Sequence, residues 1–225
     1  MKNTFWEDKI YGQGKHFNKY PYDMIVSFVF NHYPRDKERE KIKILEVGCG
    51  AGNNLWFAAK ENFQVTGIDS SKSAIEFSRN RFKEEKLQGT FLQGDFSNLP
   101  FSDNHFDLVI DRAAITCCGW EEIEIILGEI YRVLAPSGKF LFNVYSDQHS
   151  SYSSGEFHPD GTKINMTEGT LKGIQHIYFF DQRAILKLFP SSRWNMLSCQ
   201  HHEISEMLKP ASSFHAEWTV ILEKK

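Results

Sequence analysis

The sequence predicts an α/β fold, a mostly parallel sheet with helical crossovers. Three observations carry that expectation. Between residues 42 and 144, short β-branched and aliphatic runs alternate with stretches of helical period, as parallel strands joined by right-handed crossovers do. The first run leads into Gly48-Cys49-Gly50-Ala51-Gly52, a glycine turn in front of a helical pattern. Two more strand-like runs, residues 194–199 and 216–222, end the chain with a short loop between them.

The elements follow in order. Residues 1–20 are rich in aromatics and glycine (Trp6, Tyr11, Gly12, Gly14, Phe17, Tyr20) and carry little period. Pro21 can open a helix with Met24, Ile25, Phe28 and Val29 on one face, and Pro34 stops it. Residues 35–43 are a mixed-charge connector. A strand over 42–47 precedes the glycine turn, and a helix over 55–61 follows it. Residues 64–69 form a strand that ends in Asp69, and Ser70 or Ser71 caps a helix carrying Ala74, Ile75, Phe77 and Phe82. Strands over 90–93 and 106–111 come next, the first followed by Gly94-Asp95-Phe96. An amphipathic helix over 121–134 is stopped by Pro136 and Gly138, and 139–144 is the fifth strand. The period then lapses over 146–175, until Asp181 opens a helix that runs through Leu188.

The chain of 225 residues is long enough for a sizeable core and is read as one domain. Its net charge of −3 argues against a dedicated nucleic-acid binder, which needs a basic face. No run of ~18 apolar residues is present to cross a membrane, and residues 1–8 lack an apolar signal segment. The four cysteines, with Cys117 and Cys118 adjacent, form neither a disulfide framework nor a metal spacing, so a reducing cytoplasm is expected.

In an open parallel sheet, ligands bind beyond the carboxyl ends of the strands, near the point where strand order reverses. Here Glu46, Asp69, Asp95 and Asp111 all fall at or just past predicted strand ends. Asp69 lies about 20 residues past the glycine turn, the spacing of an acid that accepts hydrogen bonds from ribose hydroxyls. A dinucleotide turn wants Gly-x-Gly-x-x-Gly, but Asn53 stands where the last glycine belongs. Glu46, inside the strand, would repel a pyrophosphate and suit an ammonium or sulfonium charge.

The stretch from Leu45 to Asn54 resembles the first motif of the class I S-adenosylmethionine-dependent methyltransferases. Gly67-Ile68-Asp69-Ser70, Gly94-Asp95-Phe96, Phe106-Asp107-Leu108-Val109-Ile110-Asp111 and Arg132-Val133-Leu134-Ala135-Pro136-Ser137-Gly138-Lys139 look like its later motifs, in order. Ala135-Pro136-Ser137-Gly138 departs from the commoner Pro-Gly-Gly, at a turn. The resemblance implies a Rossmann-like seven-stranded sheet with an antiparallel C-terminal hairpin and helices on both faces. It implies a single domain over 1–225: an N-terminal helical lid (1–40), a cofactor core (41–145), a substrate-side insertion and helix (146–190) and the hairpin (191–225). The cofactor implied is S-adenosylmethionine, released as S-adenosylhomocysteine. Gly48 and Gly50 would let the backbone approach its methionine part, Glu46 would favour its amino group, Asp69 would hold the ribose diol, and Asp95 with Phe96 would take the adenine. Asp111, with Arg112 and Ala113, would flank the methionine end and face the acceptor. Tyr20, Cys49, Asn53 and Ser70 complete the cofactor-binding set.

Methyl transfer from a sulfonium is an in-line displacement, in which positioning and a dry site contribute much of the catalysis. A base is needed only for a protonated nucleophile. Asp111 and His149 are the expected catalytic residues, with His158 and His176 behind them; histidine titrates near neutrality. Tyr145, Tyr152, Tyr178, Phe179 and Phe180 could line an acceptor pocket, with Tyr11 and Tyr20 on the N-terminal side, although core packing is favoured for Phe179 and Phe180, which immediately precede the helix start at Asp181. Asp111-Arg112-Ala113-Ala114 is not the Asn/Asp-Pro-Pro-Tyr of amide-nitrogen methylating enzymes. A small-molecule acceptor is therefore expected, with no nucleic acid, membrane or metal, in a monomer or homodimer. His201 and His202 point to opposite faces of a strand and are poor co-ligands. A nicotinamide oxidoreductase and a non-catalytic cofactor-binding subunit stay open beside the transferase.

Overall fold

A computed structural model describes residues 4–15, 17–208 and 214–225. Residues 1–3 of the N-terminal segment and 209–213 of the loop between the last two strands lie outside them. The strands are β1 (Lys43–Val47), β2 (Gln64–Asp69), β3 (Thr90–Gln93), β4 (Phe106–Arg112), β5 (Leu134–Tyr145), β6 (Glu156–Phe157), β7 (Lys163–Ile164), β8 (Trp194–Ser205) and β9 (Phe214–Lys224). The α-helices are α1 (Asp23–His32), α2 (Asn53–Lys60), α3 (Lys72–Glu84), α4 (Trp120–Val133) and α5 (Gln182–Leu188).

Seven strands form one sheet in the order β3-β2-β1-β4-β5-β9-β8, and β6 pairs with β7 apart from it. β1 runs parallel to β2 and β4, and β2 to β3, while β8 and β9 are antiparallel. From β1 the chain steps to β2 and β3 on one side, then returns to β4 and β5 on the other. Strand order therefore reverses between β1 and β4. Right-handed crossovers leaving that point in opposite directions place their helices on opposite faces.

The chain packs as two compact units that interleave in sequence. One holds residues 1–111 and 129–140, the other 112–128 and 141–225. In the first, Ile44, Leu45 and Val47 of β1 are buried beside Val65 and Ile68 of β2 and Leu108, Val109 and Ile110 of β4. In the second, Phe142 packs edge-on against Phe180 and Phe189, with ring centroids 5.5 and 5.2 Å apart.

Helix starts follow cap chemistry. Ser71 accepts the Ala74 N–H and Asp181 accepts the Ala184 N–H, as Ncap oxygens do. Of the two serines that could cap α3, Ser71 does so. The sequence places α4 one residue late and runs it to Leu134, whereas the helix ends at Val133 and β5 begins at once. Pro136 and Gly138 thus lie in the strand, and Ser137 takes a left-handed φ of +60° between them. The terminal hairpin is longer than its hydrophobic runs suggest, because the outer part of β8 is exposed and polar and gives no apolar signal.

The insertion after β5 is less bare than its sequence. Met166, Leu171, Ile177 and Phe179 bury one another, with Tyr145 and Tyr152 packed against them. Isolated apolar residues from distant positions make this small core, and no period betrays it. Replacing Phe142 with Ala should cost about 3–5 kcal/mol of unfolding free energy in urea; a loss below about 1 kcal/mol would contradict the packing described here.

Candidate active site

Register brings the predicted acids to one rim. Val47 pairs with Ile68 and with Asp111, and Asp69 pairs with Gln93, so β3, β2, β1 and β4 end together. The glycine turn leaves this rim at the reversal of strand order. Gly48, Gly50 and Gly52 take φ of +62°, +49° and +68°, the left-handed region that disfavours any Cβ. A Cβ on Gly50 would also run into the Tyr11 hydroxyl, and one on Gly52 would lie 2.9 Å from Ser78 Oγ.

Asp69 ties this turn down. Its Oδ2 accepts the Gly50 N–H at 2.8 Å and its Oδ1 accepts the Ser71 N–H at 2.8 Å. Burial raises the Asp69 pKa, against the opposing pull of these two N–H groups. Each oxygen keeps lone-pair capacity for a hydroxyl. Glu46 is buried, and its Oε1 accepts from Asn54 Nδ2 at 2.6 Å. Burial, followed by the charges of Asp69 and Glu46, raises the Cys49 thiol well above its ordinary value.

The other expected cofactor residues fall into three groups. Asn53 is buried and donates to the Tyr20 carbonyl at 2.9 Å, tethering the segment before α1 to α2. The Tyr20 side chain is 73% exposed and lies edge-on to Trp56, so its backbone is what the fold engages. Ser70 and Asp95 are exposed, and Asp95 Oδ1 accepts the Ser97 N–H at 2.8 Å beside half-buried Phe96. Asp111 is fully buried at the end of β4. Ala113 takes φ +55° and donates its N–H to the Asn143 carbonyl at 2.9 Å.

The sequence gives no warning of Glu7. Its carboxylate accepts from Ser71 Oγ (2.5 Å), Ser73 Oγ (2.7 Å) and the Ser73 N–H (3.1 Å), and these bonds, Ser71 first, lower its pKa. An anion there also suits the N-terminus of α3. Phe17 stacks on Phe77 of the same helix at 4.4 Å. The N-terminal segment is thereby fixed over the turn, and Tyr11, its phenol pKa pushed far up by burial, meets Gly50. A groove of about 720 Å³ between Lys43, Gln64, Lys86 and Thr90 opens at the opposite, amino ends of the strands.

In the second unit His149 is buried with both ring nitrogens in contact with neighbours. Its Nδ1 accepts the Ser151 N–H at 3.0 Å, so the proton sits on Nε2, 2.9 Å from Thr170 Oγ1. Both nitrogens are used, and burial lowers its pKa to about 4. Next to it, His215 Nε2 lies 2.9 Å from Glu217 Oε2, and Arg112 Nη2 lies 3.8 Å from the same oxygen. Burial raises the Glu217 carboxyl, but His215 and Arg112 outweigh it and hold it below the usual range. The rings of His149, Tyr145 and His215 meet at 5.1 to 5.6 Å. His215 and Glu217, two apart on β9, share a face; that spacing could have flagged them. His201 Nε2 meets Ser146 Oγ at 2.8 Å while His202 is exposed, so the pair does not converge.

The glycine turn, with acids on neighbouring strand ends, lies at the switch point, the place where open parallel sheets bind their ligands. A family model described as a methyltransferase domain matches residues 44–138. A Bacillus subtilis protein called methyltransferase YqeM is 30% identical over 182 residues, 78% of this chain and 68% of that one. A fatty-acid O-methyltransferase of Mycolicibacterium smegmatis is 34% identical over 51% of this chain, which spans only 40% of its length. The structure of the 1,6-didemethyltoxoflavin-N1-methyltransferase of Burkholderia thailandensis, with bound S-adenosylhomocysteine, shares the fold at TM-score 0.65 and 15% identity, over 90% of this chain and 77% of that one. The chain belongs to the class I S-adenosylmethionine-dependent methyltransferases.

His149 also fixes a pH dependence. Its folded-state pKa lies below the unfolded value near 6.5, so the unfolded chain binds the proton first and stability falls as pH drops from about 6.5 towards about 4. The shift corresponds to about 3 kcal/mol at the acid end. His149→Gln should flatten the fall in urea midpoint over that range; identical slopes for variant and parent would contradict the burial of a neutral imidazole.

Proposed function

We propose that this chain moves the methyl group of S-adenosylmethionine to an oxygen or nitrogen of a small-molecule acceptor by in-line displacement. The observation that carries the reading is the Asp69 carboxylate, bonded to the Gly50 and Ser71 N–H groups at the rim where strand order reverses. The residues fit that cofactor. The bare backbone of Gly48 and Gly50 accepts a close ligand, with Cys49 between them turned into the core. Asp69 has capacity left for ribose hydroxyls. Asp95 and Phe96 stand beyond β3 for the adenine, next to exposed Ser70. The buried carboxylates of Glu46 and Asp111 favour a cationic ligand over a pyrophosphate. Asn53 and the Tyr20 backbone act by holding the chain around α2.

When bound, the cofactor supplies an electrophilic methyl on a sulfonium. The protein's own task is to bind, to orient and to take up a proton where the acceptor arrives protonated. For that last step His149 is the candidate, with His215, beside it and close to Glu217, as its neighbour. Asp111 with Arg112 and Ala113 stays the part of the chain assigned to the methionine end. The O- and N-methylating relatives support a small acceptor, and the net charge of −3 disfavours a nucleic acid. Among the described residues no helix is long and apolar enough to cross a membrane. None of the four cysteines is in a disulfide, which suits a reducing compartment such as the cytoplasm. The proposed cofactor contacts all come from one chain, so either a monomer or a homodimer satisfies them.

Family membership displaces the nicotinamide reading. A turnover assay separates the transferase from a non-catalytic subunit: labelled methyl should pass to a metabolite fraction, and label found only in protein or RNA would overturn the small-acceptor reading. In calorimetry, Asp69→Ala should weaken S-adenosylhomocysteine binding about tenfold or more; unchanged affinity would remove Asp69 from the site.

A further inference from the structure

The tip of the β6–β7 hairpin gathers three ligand-type side chains that the methyl-transfer reading does not use. The His158 N–H bonds the Thr162 carbonyl at 2.8 Å, the Gly161 N–H bonds the His158 carbonyl at 2.9 Å, and Gly161 takes φ +88°. This tight turn sets His158 and Asp160 side by side. His176 arrives from a distant part of the chain, because Ile177 makes both backbone hydrogen bonds with Lys163 of β7, at 2.7 and 3.0 Å. His176 itself takes φ +57°, in the left-handed region.

The three side chains converge. One ligand atom from each lies within 4.8 Å of the other two. His158 Nδ1 is 2.9 Å from Asp160 Oδ1, and His176 Nδ1 is 3.9 Å from Asp160 Oδ2. The two imidazoles stand perpendicular with centroids 5.0 Å apart. A tetrahedral ion with bonds of about 2.0–2.2 Å holds its donors about 3.3–3.6 Å apart, in the middle of these separations. His158 Nδ1 is shut off from solvent and lies beside the Asp160 carboxylate, on the side that faces His176.

Thr162 supplies the outer support that ligand carboxylates need. Its N–H and hydroxyl donate to Asp160 Oδ1 at 2.9 and 2.6 Å, which fixes the carboxylate and leaves Oδ2 facing His176. The same hydroxyl lies 3.3 Å from His176 Nδ1. The Asp160 carbonyl accepts the N–H of Trp120, the first residue of α4, at 3.1 Å.

We propose that His158, Asp160 and His176 form a binding site for one divalent first-row transition ion, of which zinc best matches two imidazoles and a carboxylate with an open fourth position. The ion would join the hairpin tip to the segment before Phe179. Through Asp160 it would also hold the start of α4. Its role is to order the insertion, and the inference stands or falls apart from methyl transfer.

The test uses the full chain after treatment with chelator. Zinc chloride titrated in a calorimeter should bind at one ion per chain and raise the melting temperature. His176→Ala and Asp160→Asn should each weaken binding at least about tenfold, whereas Cys117→Ser and His202→Ala should leave it unchanged. Cobalt(II) in place of zinc should give the visible spectrum of a tetrahedral nitrogen–oxygen site without a thiolate charge-transfer band; this readout does not depend on any variant folding. No saturable binding, binding that survives His176→Ala, or a thiolate band would each overturn the proposal.

Discussion

The carboxylate of Asp69 takes the Gly50 N–H with one oxygen and the Ser71 N–H with the other. A turn with three glycines at positive φ loses much conformational freedom on folding. Hydrogen bonds to a charged acceptor contribute about 1.5–3 kcal/mol each. Here they join the end of β1 to the start of α3, across β2. The cost is a carboxylate kept buried with a raised pKa, an arrangement more readily explained by a ligand site than by stability.

The N-terminal segment depends on the same corner. Ser71 both caps α3 and donates to Glu7, so a residue whose N–H is bonded to Asp69 anchors the strip of chain that carries Tyr11 over Gly50. Asn53 and Asn54 repeat the device one element away. Asn54 links Glu46 inside β1 to the Tyr22 N–H, and Asn53 reaches the Tyr20 carbonyl. Side-chain amides thus hold the chain before α1 against the first crossover helix.

Much of this was legible in the sequence because it is local. Strands β2 and β3 carry their bounds in apolar runs, the caps at Ser71 and Asp181 are short-range chemistry, and strand ends that line up in a parallel sheet bring distant acids together. What escaped is non-local. Glu7 reads as one acid in an aromatic stretch until α3 is placed beside it. His149 looks like a titratable residue near the end of β5, but Ser151 and Thr170 occupy both its nitrogens. His215 and Glu217 alternate with Phe214, Ala216 and Trp218 on β9, but Arg112 meets Glu217 only once the chain is folded. The polar stretch over 146–175 hides both the small core around Met166 and the convergence of His158, Asp160 and His176.

If the Asp69-bound glycine turn is the cofactor seat, a crystal structure with S-adenosylhomocysteine will show ribose hydroxyls within hydrogen-bond distance of Asp69 and the homocysteine part lying along Gly48 and Gly50. Density for the ligand elsewhere, for instance in the groove by Lys43 and Lys86 at the amino ends of the strands, would contradict it.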